Sequence, residues 1–146
     1  MNQNSIDYVI RSLVYLGSLP ASQYASGNEI AKHIDVSSSY LNKLLHSLVR
    51  VGILKSTTGP GGGFSLGRPP QKIHLLEAIE AVEGTVRLRD ECILGLSECS
   101  DRNPCPFHSD WVKHRKTLLK QFQNTTLAKA FEKGAWPSYQ ASPGKS

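Results

Sequence analysis

All three cysteines of the chain fall within residues 92–108, Cys-Ile-Leu-Gly-Leu-Ser-Glu-Cys-Ser-Asp-Arg-Asn-Pro-Cys-Pro-Phe-His. Six residues separate Cys92 from Cys99, five separate Cys99 from Cys105, and His108 follows three positions later. Gly95, Ser97, Ser100, Asp101, Asn103, Pro104 and Pro106 fill the intervals. Those residue types favour turns over a helix or a strand ladder, so the stretch reads as an irregular loop. Such a loop can bring three thiols and an imidazole to one point; a single helix or strand cannot. Everything else must fold on either side of it.

Two readings of the triad compete. Free cysteine is a small hydrophobe that is commonly buried, although a Pro- and Asp-rich loop is a poor place to bury three of them. Thiolates are otherwise ligands for a soft centre: zinc, Cu(I) or an iron–sulfur cluster. Structural zinc usually brings a C-x-x-C knuckle, which this loop lacks. The wide spacing suits a cluster, which offers its ligands more than one iron, and leaves zinc open.

The setting is expected to be cytoplasmic. No stretch reaches the roughly 20 apolar residues that span a bilayer. Ile6 to Leu19 is apolar but carries Asp7 and Arg11 with helical periodicity, and has neither a basic head nor a small-residue cleavage site. In a reducing compartment, an odd count of three cysteines argues for ligands over disulfides. The net charge of +5 is unevenly spread: seven Lys/Arg against three Asp/Glu in residues 1–73, two against five in 74–91, and eight against four in 92–146. A basic N-terminal part is compatible with a phosphate-backbone partner, though charge alone is weak evidence.

Ile6, Val9, Ile10, Leu13 and Val14 make one face of a helix expected to end at Gly17. Asn28 is placed to cap a short helix over residues 29–34. After a turn at Asp35-Val36, Ser37 or Ser38 caps a longer helix with Leu41, Leu44, Leu45, Leu48 and Val49 on its apolar face, ended by Gly52. Short helix, tight turn and longer helix form the helix-turn-helix pattern, in which the second helix enters the DNA major groove. Its groove-facing residues would be Ser38, Ser39, Tyr40, Asn42, Lys43 and His46. A plain helical hairpin with a solvated polar face is the alternative.

Residues 53–57 then read as a strand, Thr58-Gly59-Pro60-Gly61-Gly62-Gly63 as a glycine-dependent turn, and Phe64-Ser65-Leu66 as the returning strand. A hairpin directly after a helix-turn-helix is a wing, and its Gly-rich tip can approach DNA closely. The run is not a phosphate-binding loop, because the Lys-Ser/Thr and the receiving helix are missing. Lys55, Arg68 and Lys72 flank it as phosphate contacts or as solvated charges. A helix with Leu75, Leu76, Ile79 and Val82 on one face, and Glu77, Glu80 and Glu83 elsewhere, runs to Gly84 and is expected to pack on the body. Arg87 and Arg89 precede the Cys loop. After it, Ser109 can cap the longest helix, residues 109–123, whose seam of Trp111, Arg115, Leu118, Leu119 and Phe122 is a candidate dimerisation surface. Thr125 or Thr126 caps a last short helix to Phe131, and residues 134–146 read as a tail. No complete substrate site and no second cofactor motif appear, so an enzyme is not expected.

Taken together, Asp7-Tyr8 in the opening helix, Ser39-Tyr40-Leu41, the wing Gly59-Pro60-Gly61-Gly62-Gly63-Phe64 and the three-Cys loop before a long helix resemble the bacterial winged-helix regulators typified by IscR, NsrR and RirA. The likeness covers residues 1 to about 131. It implies a mainly α fold with a small β-hairpin wing: a winged helix-turn-helix DNA-binding domain over residues 1–73, a linker helix, Cys loop and dimerisation helix over 74–131, and a flexible tail over 132–146. It implies a homodimer on a near-palindromic double-stranded DNA operator, no membrane partner, and an iron–sulfur cluster, 2Fe-2S or 4Fe-4S, on Cys92, Cys99 and Cys105 that senses cluster supply, redox state, iron or nitric oxide; the alternative, as in cluster-free relatives, is a regulator of the same fold that uses thiol oxidation or docks a partner protein. Asn28, Lys55 and Thr58 would join the DNA contacts. In IscR-like proteins a His three residues after the last Cys is the fourth ligand, matching His108; in NsrR-like proteins it is an Asp of the first helix reaching from the other subunit, matching Asp7. Three departures stand out. The first Cys interval has six residues against five in IscR-like proteins. Thr58 stands where IscR has arginine, and Asn42 replaces an acidic residue of its recognition helix.

Overall fold

The computed structural model describes residues 3–20, 23–84, 92, 94 and 100–132. In chain order they form α1 (Gln3–Ser18), α2 (Gly27–Ile34), α3 (Ser38–Arg50), β1 (Leu54–Thr57), β2 (Gly63–Leu66), a 3-10 turn (Pro70–Lys72), α4 (Leu75–Glu83), α5 (His108–Asn124) and α6 (Leu127–Glu132). The expected class, mainly helical with a two-stranded wing, is the observed one.

The core is where the helical stripes meet. On α3, Leu41, Leu45 and Leu48 recur at helical spacing and are fully buried; Ile30 and Ile34 of α2 and Leu13 of α1 face them. Each such side chain stabilises the fold by about 1.5–3 kcal/mol relative to leaving it in water. Asp35 turns the chain between α2 and α3 in the left-handed region, at φ 58°. Its amide and that of Val36 both donate to the carbonyl of Ala31, closing the end of α2.

Helix starts differ from the sequence reading at two places. α2 is capped by Ser26 and not by Asn28: Ser26 Oγ accepts from the Glu29 amide at 3.1 Å and Glu29 Oε2 accepts from the Ser26 amide at 3.3 Å. This reciprocal pair satisfies two donors at once, which a lone Asn28 cannot do. α5 opens at His108 with Phe107 in the cap position, so Ser109 lies inside the helix and is no cap. Gly17 does not end α1 either. The helix runs on to Ser18, and a Cβ at Gly17 would stand 2.8 Å from Phe131 Cζ, so the glycine makes room for α6. Of the two threonines before α6, Thr126 supplies the cap, its Oγ1 accepting from the Lys129 amide at 3.2 Å.

β1 and β2 pair antiparallel, Leu54 opposite Leu66 and Thr57 opposite Gly63. At the tip Gly59 and Gly61 hold φ of 90° and 75°, a region that side chains disfavour. The wing is tied back to the helical body through its second strand. Ala25, just before the α2 cap, exchanges two backbone hydrogen bonds with Phe64, of 3.0 and 2.7 Å. The start of α4 is joined in the same way to the α5–α6 link, with Leu75 N donating to Thr125 O at 3.0 Å and Leu127 N to Ile73 O at 2.8 Å.

As expected, α4 packs on the body, against α1, α3 and α5. Glu83 departs from its expected place off the packed face: it is buried, with Leu75, Ala78 and Ile79. No described helix is long and apolar enough to cross a membrane.

Candidate nucleic-acid interface and thiol centre

Because Leu41, Leu45 and Leu48 point inward, the residues two positions earlier face outward. Ser39, Lys43 and His46 are exposed along one stripe of α3. Tyr40 is 37% exposed, but its hydroxyl is 2.7 Å from Ser5 Oγ and its ring meets Tyr8 edge-on at 5.9 Å. It is anchored to α1 while leaving an edge in solvent. Ser38 and Asn42 are half-buried. Asn42 Oδ1 lies against Gly27 at the start of α2, where any Cβ would collide with it. His46 meets Phe64 of the wing edge-on at 5.5 Å, so recognition helix and wing touch directly.

Of the remaining residues expected at DNA, Asn28 is exposed in the first turn of α2. Lys55 is exposed on β1, with its Nζ 6.0 Å from the centre of the Tyr24 ring. Thr58, Gly59, Pro60 and Gly61 are exposed at the wing tip, and Gly62 and Gly63 sink toward its base. Arg68, read as a phosphate contact or a solvated charge, is not a freely solvated charge. Its guanidinium is committed to Glu77 through bonds of 2.8 and 2.6 Å and to the carbonyls of Lys72 and Val51 at 3.2 and 3.0 Å.

The thiol centre lies at the other end of α4. Cys92 is buried, against the expectation that such a loop would leave its thiols unburied, and Cys105 is half-buried. Their sulfurs stand 4.0 Å apart. Two thiolates on one tetrahedral metal, each bonded at about 2.3 Å, are about 3.8 Å apart. The pair therefore has the spacing of neighbouring ligands. His108 is held beside it: its amide donates to Cys105 O at 3.0 Å, and its ring is buried. His108 Nε2 is 2.9 Å from Asp101 Oδ1. With Nε2–H donating to that carboxylate, the neutral ring carries its lone pair on Nδ1, the arrangement of metal-binding histidines. Cys99 lies outside the described residues, as do Arg87 and Arg89. Among the described residues no three of His, Cys, Asp and Glu converge to hold a metal ion.

Asp7 is engaged elsewhere. Its carboxylate pairs with Arg11 Nε at 2.9 Å, and Arg11 Nη1 donates to Ile34 O at the end of α2. On α5, Trp111, Leu118, Leu119 and Phe122 are each only half-buried by their own chain, while Arg115 is buried.

Three contributing residues escaped the sequence reading. Ser26 could have been found from its Glu three positions on, the capping-box signature. Asp101 and Glu77 carried no such signal, because their partners His108 and Arg68 are met only through tertiary folding.

Against known proteins, the Rrf2 family of iron-dependent transcriptional regulators matches residues 2–133. A protein of Aquifex aeolicus described as an HTH-type transcriptional regulator is 32% identical over 126 residues, 85% of this chain and 86% of that one. YffB of Lactococcus lactis, described in the same way, is 33% identical over 121 residues, 80% of this chain and 77% of that one. Among solved structures, CymR, the global cysteine regulator of B. subtilis, superposes with a TM-score of 0.71 at 21% identity, covering 92% of this chain and 98% of that one. IscR of T. potens does so with a TM-score of 0.68 at 23% identity, covering 91% and 87%. At such identities these two establish the shared fold. The chain belongs to the Rrf2 family, and its function is transcriptional regulation, not catalysis.

Proposed function

We propose that the protein is a homodimeric, cytoplasmic operator-binding regulator whose signal enters through an iron–sulfur cluster held by Cys92, Cys99 and Cys105. The observation that carries this reading is the 4.0 Å approach of Cys92 and Cys105, with His108 joined to Cys105 through the backbone. We take His108 as the fourth ligand over Asp7, since Asp7 is already paired with Arg11 within α1. When bound, a cluster supplies a centre that gains or loses an electron, or is dismantled, on meeting the effector.

The chain's own residues do the rest. Residues 1–73 act as the DNA-binding unit, with Ser38, Ser39, Tyr40, Asn42, Lys43 and His46 at the major groove. Lys55, the wing tip Thr58 to Gly63 and Asn28 lie at the flanking backbone. Residues 74–131 carry the sensor and the dimer helix, with residues beyond as a tail. His108 opens α5 and Cys105 lies three residues before it, its carbonyl accepting from the His108 amide, so a change in their packing is felt at the start of that helix. α5 in turn packs on α4, which packs on α1 and α3. A shift of one to two decades in operator affinity corresponds to about 1.4–2.8 kcal/mol, within reach of such repacking.

The thiol spacing also favours a second reading. Without a cluster, Cys92 and Cys105 are close enough to be oxidised to a disulfide, each thiol giving up one proton and one electron to an oxidant such as a peroxide. Protein purified without oxygen separates the two. Broad visible absorbance with matched iron and sulfide, lost in Cys92→Ala, Cys99→Ala and Cys105→Ala, is the expected result. Full iron content in all three variants would remove the cluster reading. Colourless protein that stays so after reconstitution would favour the thiol reading.

A further inference from the structure

A single side chain joins four elements at the base of the wing. Arg68 stands two residues beyond the end of β2. Its Nη2 donates to Val51 O, in the cap position of α3, and to Glu77 Oε1 on α4. Its Nη1 donates to Glu77 Oε2 and to Lys72 O of the 3-10 turn. The bidentate fork to the carboxylate fixes the plane of the guanidinium, and the two carbonyl bonds fix its depth. The wing has other described ties: Ala25 and His46 meet Phe64 near the tip, Lys55 stands over Tyr24, and at the base Ile53 N donates to Leu48 O at 3.1 Å and Gly67 N to Ile53 O at 2.8 Å. To this backbone route the fork adds the side-chain tie that joins the exit of the wing and the end of the recognition helix to α4.

We propose that Arg68 and Glu77 are a positioning pair for DNA binding: the fork sets the angle of the wing relative to α3, so that wing tip and recognition helix meet the duplex together. Arg68 itself contacts no phosphate. This rests on the reading of α3 and the wing as the DNA-binding surface. The physical case is geometric. The tip, Thr58 to Gly62, has no side chain larger than Thr58 or Pro60 to adapt its reach, so its contact with DNA depends on where its base is held. Lysine at 68 could keep the charge but not the fork, because an ammonium cannot satisfy both carboxylate oxygens and two carbonyls in one plane. The same pair ties the wing to α4, the helix that leads toward the thiol loop.

The test is hydroxyl-radical footprinting of the full-length dimer on its operator, with affinity measured across a salt series for wild type, Glu77→Gln, Arg68→Lys and Arg68→Gln. Glutamine at 77 keeps the shape and removes the charge, and the helical circular dichroism of each variant is compared with wild type. At saturating protein, Glu77→Gln and Arg68→Lys are expected to weaken protection where the wings lie while leaving it where α3 lies. Operator affinity should fall by about tenfold. The slope of log affinity against log salt should stay at its wild-type value in Arg68→Gln. Loss of about one unit of slope in Arg68→Gln would make Arg68 a phosphate contact and overturn the proposal. An unaltered footprint and affinity in Glu77→Gln would overturn it as well, as would a uniform fading of both regions. Absence of any footprint by the wild-type protein would instead defeat the DNA-binding surface on which it rests.

Discussion

Beside the thiols, Asp101 meets the His108 ring through a short polar contact, fully exposed itself and 2.9 Å from Nε2. If His108 is a ligand through Nδ1, that carboxylate is its orienting partner. Removal of such an orienting carboxylate typically lowers metal affinity about 10–100-fold. Asp101→Ala is therefore expected to release iron to a competing chelator at about 10–100-fold lower chelator concentration than wild type, with the three thiols intact. Iron retention equal to wild type would show that His108 is not a ligand. The approach of Cys92 and Cys105 was legible in the sequence, since two thiols in one turn-rich loop have few places to go but toward each other. Asp101 was not, since a loop aspartate looks the same whether it faces solvent or an imidazole. Asn42 was legible as an outward residue of α3, but its lean against Gly27 was not. That contact depends on the crossing of α2 and α3, which no local pattern encodes.

Whole elements were easier to read than their ends. The stripe Leu41, Leu45, Leu48 dictates which way α3 faces, and the glycines at 59 and 61 dictate a turn that only a hairpin can use. Their ends were misread where tertiary contact outweighed local signals. Gly17 looked like a stop yet is a gap for Phe131, and Asn28 looked like a cap yet yields to the Ser26–Glu29 box. The fork at the wing base belongs to this scale and has a pH signature. Glu77 lies below its ordinary pKa of 4.5, chiefly because Arg68 donates to it, with the charges of Arg68 and His74 adding and partial burial opposing. A carboxylate whose folded pKa is depressed contributes stability above its unfolded value and loses it as pH falls through the folded value. The stability gap between wild type and Glu77→Gln should thus be present above pH 4.5 and close progressively as pH falls below it. Urea midpoints across that range measure it. A gap independent of pH would mean that the fork acts by shape alone. The contribution is modest in size, because the Glu77 side chain is 40% exposed and water screens the pair.

For the molecule as a whole, the seam on α5 is the open question of assembly. Trp111, Leu118 and Phe122 fall on one stripe of the helix and none is fully buried by its own chain. An apolar stripe left partly in water gains from a second copy of itself across a two-fold axis, and a dimer so formed carries two copies of α3. Such a dimer reads half-sites about 34–36 Å apart, one turn of the duplex. Leu118→Glu places a charge in that stripe. It is expected to convert the dimer to a folded monomer, seen as halved mass in sedimentation with helical signal preserved. The monomer would still carry one α3 and one wing, so it should still neutralise the phosphates of one half-site. Since the salt dependence of binding counts neutralised phosphates, its slope of log affinity against log salt on a half-site should be about half that of the wild-type dimer on the full operator. A monomer that keeps the full slope would place most phosphate contacts outside the wing and α3. A Leu118→Glu protein that remains dimeric would move the dimer seam off this stripe, and with it the route by which a change at Cys105 and His108 alters the spacing of the two recognition helices.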